Sequence, residues 1–107
     1  MKIYFRYKDQ ILASLSPDIS KNYTVGRGLN CDVQIPINSV SRFQGLLFFQ
    51  EGKWHFKNES DSNPFEQALT DNLSVNFKNG FEILLDSYLA NEKTHFSSPI
   101  AKDPGEA

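Results

Sequence analysis

Residues 43–58, FQGLLFFQEGKWHFKN, decide the fold. Phe43 to Gln50 reads as a strand, and its stretch Leu46–Phe49 is apolar on both faces, which suits the centre of a sheet. Glu51-Gly52 is a hairpin turn signal. After it, Trp54 and Phe56 alternate with His55 and Lys57, the period of a strand with one face in a core. Trp54, Phe56, Phe48 and Leu47 are the expected core of this hairpin.

The same period extends in both directions. Ile3, Phe5 and Tyr7 share one face and Lys2, Tyr4 and Arg6 the other, so the N-terminus reads as a half-buried strand. Lys8 to Gln10 form a turn and Ile11 to Leu15 return from it. Ser16 to Asn22 is turn chemistry before a strand at Tyr23–Val25, and a short strand at Val33–Ile35 is stopped by Pro36. Beyond the hairpin, Asn58 to Pro64 is a polar loop. Short strands are expected near Ala68–Leu69, Leu73–Phe77, Glu82–Leu85 and Tyr88–Ala90, with Lys78-Asn79-Gly80 as a turn. Capped 3.6-residue periodicity is missing. The fold class is therefore all-β, an antiparallel β-sandwich of two sheets with little or no helix. Residues 1–90 form the domain, and the polar, proline-containing stretch 91–107 reads as a tail or linker. Met1 together with that linker-like end points to an N-terminal domain of a longer protein.

Totals narrow the function. The chain has 107 residues, enough for one modest core, with 39% hydrophobic and 13% aromatic residues. A net charge of −2 argues against nucleic-acid binding, which demands a strongly basic face. Cys31 is the only cysteine, which excludes an intrachain disulfide and a cysteine-built metal site. It reads as a small buried hydrophobe in a reducing, cytoplasmic setting. The longest apolar run, Leu46–Phe49, is far too short to insert in a membrane. His55 and His95 have no partner at metal-ligand spacing, and Cys31 has no nearby histidine. Gly26-Arg27-Gly28 is too short for a dinucleotide fingerprint. Gly26 reads as a backbone-conformation glycine. The sequence thus reads as a binding domain, not an enzyme, with no catalytic residues, cofactor or metal.

One constellation remains. Gly26-Arg27 at a strand end is followed by Cys31-Asp32-Val33-Gln34-Ile35, then by Ser41-Arg42-Phe43-Gln44. Downstream come Trp54-His55-Phe56-Lys57-Asn58, Ser62-Asn63 and Gly80-Phe81-Glu82-Ile83. In this order the segments resemble the forkhead-associated (FHA) domain, over roughly residues 2–90. Two positions depart from the family. Gln44 stands in place of the histidine that braces the binding loops, and Pro64 in place of the glycine after the family's asparagine. Glutamine both donates and accepts, on a more flexible stem. Proline restricts Asn63 to extended geometry.

The resemblance implies recognition of phosphothreonine in an extended peptide, a protein–protein interaction used in signalling or regulation. Arg27 and Ser41 would hold the phosphate, with Arg42 assisting. Asn63 would bond the peptide backbone, and Ser62 would support the threonine side. A phosphate brings about −1.5 to −2 charge and three acceptor oxygens, and arginine offers a planar fork of donors that stays charged. The partner is then a phosphothreonine-containing protein, or a segment of the same polypeptide such as Thr94. The alternative reading is a degenerate FHA-like scaffold that binds its partner without phosphate, as in a secretion or regulatory assembly. Gln44 and Pro64 favour that alternative; Arg27 and Ser41 favour phosphate.

Overall fold

A short strand with one apolar face buries it only against a second layer, and here two sheets face each other. The computed structural model describes residues 1–60 and 64–92. Its strands are β1 (Ile3–Tyr7), β2 (Gln10–Leu15), β3 (Tyr23–Gly26), β4 (Val33–Gln34), β5 (Gly45–Gln50), β6 (Lys53–Asn58), β7 (Phe65–Ala68), β8 (Val75–Asn76) and β9 (Phe81–Leu85). One sheet runs β2-β1-β9-β8, the other β4-β3-β5-β6-β7. All pairings are antiparallel except β3 with β4, which run parallel through Val25 and Val33. The expected β-sandwich is the fold.

The doubly apolar β5 occupies the middle of the five-stranded sheet. Its turn into β6 places Glu51 and Gly52 at φ of 53° and 77°, and the β1–β2 turn places Lys8 and Asp9 at 47° and 69°. Two consecutive positive values are what a two-residue hairpin loop needs to match the strand twist. Between the sheets lie Ile3, Phe5, Phe81 and Ile83 from one side and Val25, Leu47, Trp54 and Phe56 from the other, all buried. Burying each such side chain contributes about 1.5–3 kcal/mol. Phe48 departs from expectation. It points to the opposite face from Leu47, where it is half-buried and stacks on the cross-strand His55 at 5.3 Å.

The expected strand at Tyr88–Ala90 is a helix, α1 (residues 86–92). A two-residue period over three positions cannot exclude a helical turn, and contacts at both ends hold this one. Asp86 accepts from the Ser87 amide at 2.8 Å and from the Lys2 amide at 3.1 Å. At the other end, Glu92 takes two hydrogen bonds from Arg6 of β1, at 2.8 and 3.1 Å. The helix is thereby fastened across the outside of the four-stranded sheet.

Candidate functional site

The loops leaving β3, β4, β6 and β8 gather at one rim of the sandwich. Past the last paired residues of β3 and β5, the chain keeps a ladder without being strand. Gln44 N donates to Val25 O at 2.8 Å, Arg27 N to Ser41 O at 2.8 Å, and Gly28 N to Arg42 O at 2.9 Å. Residues 27–28 therefore lie directly against 41–42. Gly26 matters through this close approach, not through the backbone conformation the sequence suggested. Its φ is not positive, and a Cβ there would collide with the Arg42 carbonyl. A Cβ on Gly28 would lie 2.9 Å from the same oxygen.

Three of the five expected site residues can be placed. Arg27 is half-buried, and its Nε donates to the Val40 carbonyl at 3.1 Å. Val40 is 1% exposed, so the guanidinium is aimed by a fixed acceptor. That bond leaves both terminal nitrogens of Arg27 available, and among the described residues no carboxylate pairs with them. Ser41, beside it, is half-buried, with its amide donating to Gln44 Oε1 at 3.0 Å. Arg42 is exposed, and its guanidinium likewise has no carboxylate partner among the described residues. Ser62 and Asn63 lie outside the described residues, as do Thr94 and His95.

Gln44 is buried and uses both ends of its amide. Besides accepting from Ser41, it donates through Nε2 to Asn58 Oδ1 at 2.7 Å and to Ser60 Oγ at 2.8 Å. One side chain thus joins the Ser41 loop to the segment leaving β6. A second brace was not legible in the sequence. Asn79 donates to the carbonyl and hydroxyl of Ser39 at 3.1 and 3.0 Å, and accepts from Phe81 N at 2.9 Å. Asn79 had registered only as a turn residue; the contact spans 40 positions, which no local pattern signals.

Next to the arginines is an open cleft of about 640 Å³, lined by Thr24, Arg27, Leu29, Cys31, Arg42 and Phe43 among others. Cys31 is not the buried hydrophobe expected. It is half-exposed in this wall, and its thiol donates to Arg42 O at 3.1 Å. Behind Thr24, the Asp32 carboxylate accepts from the Thr24 amide and hydroxyl at 2.9 and 3.0 Å, which holds its pKa below the usual carboxylate range. Among the described residues no cluster of histidine, cysteine and carboxylate groups is arranged to hold a metal, and no helix is long and apolar enough to cross a membrane.

A β-sandwich presenting on a braced loop rim cationic groups that are unpaired among the described residues defines a class of binding domain. The FHA domain profile matches residues 23–85, more than half of the chain, and the chain belongs to that family. Solved structures with similar folds include the N-terminal FHA domain of S. cerevisiae Rad53p in complex with a phosphothreonine peptide. It is 16% identical, covers 85% of this chain and 98% of its own, and has a TM-score of 0.54. The FhaA FHA domain complexed with the intracellular domain of Rv3910 is 15% identical, with coverage of 78% and 96% and a TM-score of 0.59. Mycobacterium tuberculosis Rv1747 FHA-1 is 19% identical, with coverage of 78% and 94% and a TM-score of 0.52. At these identities the likeness is one of fold. Against curated protein sequences the chain has no match.

Proposed function

We propose that this domain binds phosphothreonine peptides of a partner protein at the rim formed by Arg27, Ser41 and Arg42. The observation that carries the reading is the pairing of Arg27 N with Ser41 O at 2.8 Å. It sets the backbones of residues 27 and 41, from two loops, side by side, which supports a shared role for the Arg27 guanidinium and the Ser41 hydroxyl. Arg27 Nε is already committed to Val40, so the fork is oriented before any ligand arrives. Pre-organisation of this kind lowers the ordering cost of binding. The Rad53p complex with a phosphothreonine peptide supports the ligand class.

Each hydrogen bond to a charged group is worth about 1.5–3 kcal/mol. Two or three of them, less desolvation and peptide ordering, give micromolar affinity. Threonine would be preferred over serine by one buried methyl, about 0.8 kcal/mol. Asn63 would bond the peptide backbone and Ser62 the threonine side. Gln44 takes the part of a brace between the loops, and its three hydrogen bonds answer the concern that a flexible stem would slacken the rim. FHA domains are binding modules, and we assign no reaction to the chain. The test is a screen of matched phosphorylated and unphosphorylated peptide libraries. Selection of phosphothreonine peptides alone is expected; binding indifferent to phosphorylation would refute the reading.

A further inference from the structure

We propose that β2 is a self-association edge, along which a second copy of this chain lays its own β2 antiparallel to form a symmetric dimer. Among the described residues four strands end a sheet, β2 and β8 in one and β4 and β7 in the other. An end strand carries backbone N–H and C=O groups that no neighbouring strand satisfies, and proteins guard such edges by shortness, charge or proline. Three of the four are guarded in this way. β4 and β8 have two residues each, and β7 has four, follows Pro64 and carries Glu66. β2 has six residues, QILASL, with neither a charge nor a proline among them. Its outer side is built to take another strand by backbone hydrogen bonds.

The strand itself says which partner fits. It pairs with β1 through Phe5↔Ala13 and Arg6↔Ile11, which leaves Leu12 as an extra residue in a bulge. Leu12 and Ala13 both pack toward the core, while Ile11 and Ser14 on either side of them are exposed. The order of faces therefore reads the same in both directions from the Leu12–Ala13 bond. Two antiparallel copies centred there set Ile11 against Ser14 of the second copy, twice, with outward residues meeting outward ones. An uncharged strand also meets its own copy without like-charge repulsion. Past the strand ends the same register brings Lys8 to Pro17 and the adjoining Asp18 of the second copy. Neither Lys8 nor Asp18 has an ion-pair partner among the described residues, so the two ends are complementary. The bulge interrupts the ladder locally and the interface is small, which sets the dimer constant on the order of 100 μM. The β1–β2 turn lies beside the rim, where Lys8 N donates to Gly80 O at 3.4 Å. Antiparallel pairing therefore points the two rims apart, and one dimer serves two partners. That consequence rests on the phosphopeptide reading; the dimer itself does not.

The experiment is sedimentation velocity on the full chain, without peptide, from about 1 μM to about 1 mM. Wild type should pass from monomer to dimer across that range. The double variant Ile11→Lys/Ser14→Lys sets lysine against lysine at both contacts and should weaken the dimer about tenfold or more. Both positions are exposed, so its melting temperature should match wild type. Lys8→Glu, outside the strand, should weaken the dimer severalfold by facing Asp18, and added salt should narrow that difference. A wild type that stays monomeric up to about 1 mM would overturn the proposal. Protection of the β2 amides from hydrogen exchange in such a monomer would give the edge to another segment of the same chain, which overturns it too. A dimer unaffected by the paired lysines would place the contact elsewhere and overturn it equally. No phosphate enters the measurement, so each of these failures leaves the phosphopeptide reading standing.

Discussion

Arg6 and Arg27 are the same side chain put to opposite uses. Arg6 lies on β1 with 8% of its surface exposed, gripped by two carboxylates. Glu82 accepts at 2.7 and 3.2 Å and Glu92 at 2.8 and 3.1 Å. The hydrogen bonds it donates to Glu92 and then Glu82 push its pKa well above the ordinary arginine value. Its charge is consumed inside the molecule, tying α1 to the sheet. Arg27 has one neutral carbonyl on Nε and, among the described residues, no carboxylate. The difference teaches where to look for function: a charge already neutralised builds structure, and one held rigid without a counter-ion among the described residues is the one to test against a ligand.

The largest effect that would break this contrast is on binding. Arg27→Ala should weaken phosphothreonine peptide binding by about 100-fold or more, the loss of two charge-assisted bonds. Its melting temperature should stay within about 2 °C of wild type, as checked by calorimetry. Arg6→Ala should do the reverse. Removing a buried cation that serves two carboxylates costs about 3–5 kcal/mol. Glu82 and Glu92 keep side-chain exposures of 23% and 26%, so solvent relieves part of that. A loss of about 2 kcal/mol in urea unfolding is expected, with peptide affinity unchanged. If Arg6→Ala weakened binding as strongly as it destabilised the fold, the division of labour would be wrong.

Smaller effects sharpen the comparison. Gln44→Ala removes the donor shared by Asn58 and Ser60 and the acceptor of Ser41 N. It should cost about 1–3 kcal/mol of stability and weaken peptide binding by severalfold through looser loops. Acid probes the Arg6 side through Glu92. The hydrogen bond from Arg6 holds the Glu92 pKa below its ordinary 4.5. A depressed carboxylate contributes its full stabilisation above the unfolded value and loses it as pH falls through the folded one. Circular dichroism melts should therefore show no change from this pair between pH 7 and 5. Below about pH 4.5 wild type should lose stability, and Arg6→Ala should lose less.

How far the sequence reaches depends on the range of the interaction. The central hairpin was legible because Leu46–Phe49, Glu51-Gly52 and the Trp54/Phe56 alternation are local signals, each obeyed in the fold. Arg27 and Ser41 were legible as a spaced pattern, and their loops do meet. Arg6 was not. Beside Lys2 and Tyr4 it reads as a solvent-face residue, and its burial depends on Glu92, 86 positions away. The same helix was mistaken for a strand, because Tyr88–Ala90 is too short for periodicity to choose. Gly26 and Cys31 were misread for a related reason. Each is explained by the Arg42 carbonyl, a contact between loops that neither residue's neighbours announce.

The central claim is that Arg27 acts on the phosphate and on little else. A thermodynamic cycle by titration calorimetry tests it, combining wild type and Arg27→Ala with one peptide in phosphorylated and unphosphorylated form. The expected result is a coupling of about 2–4 kcal/mol, with Arg27→Ala indistinguishable from wild type toward the unphosphorylated peptide. Equal weakening of both peptides, a coupling near zero, would contradict it.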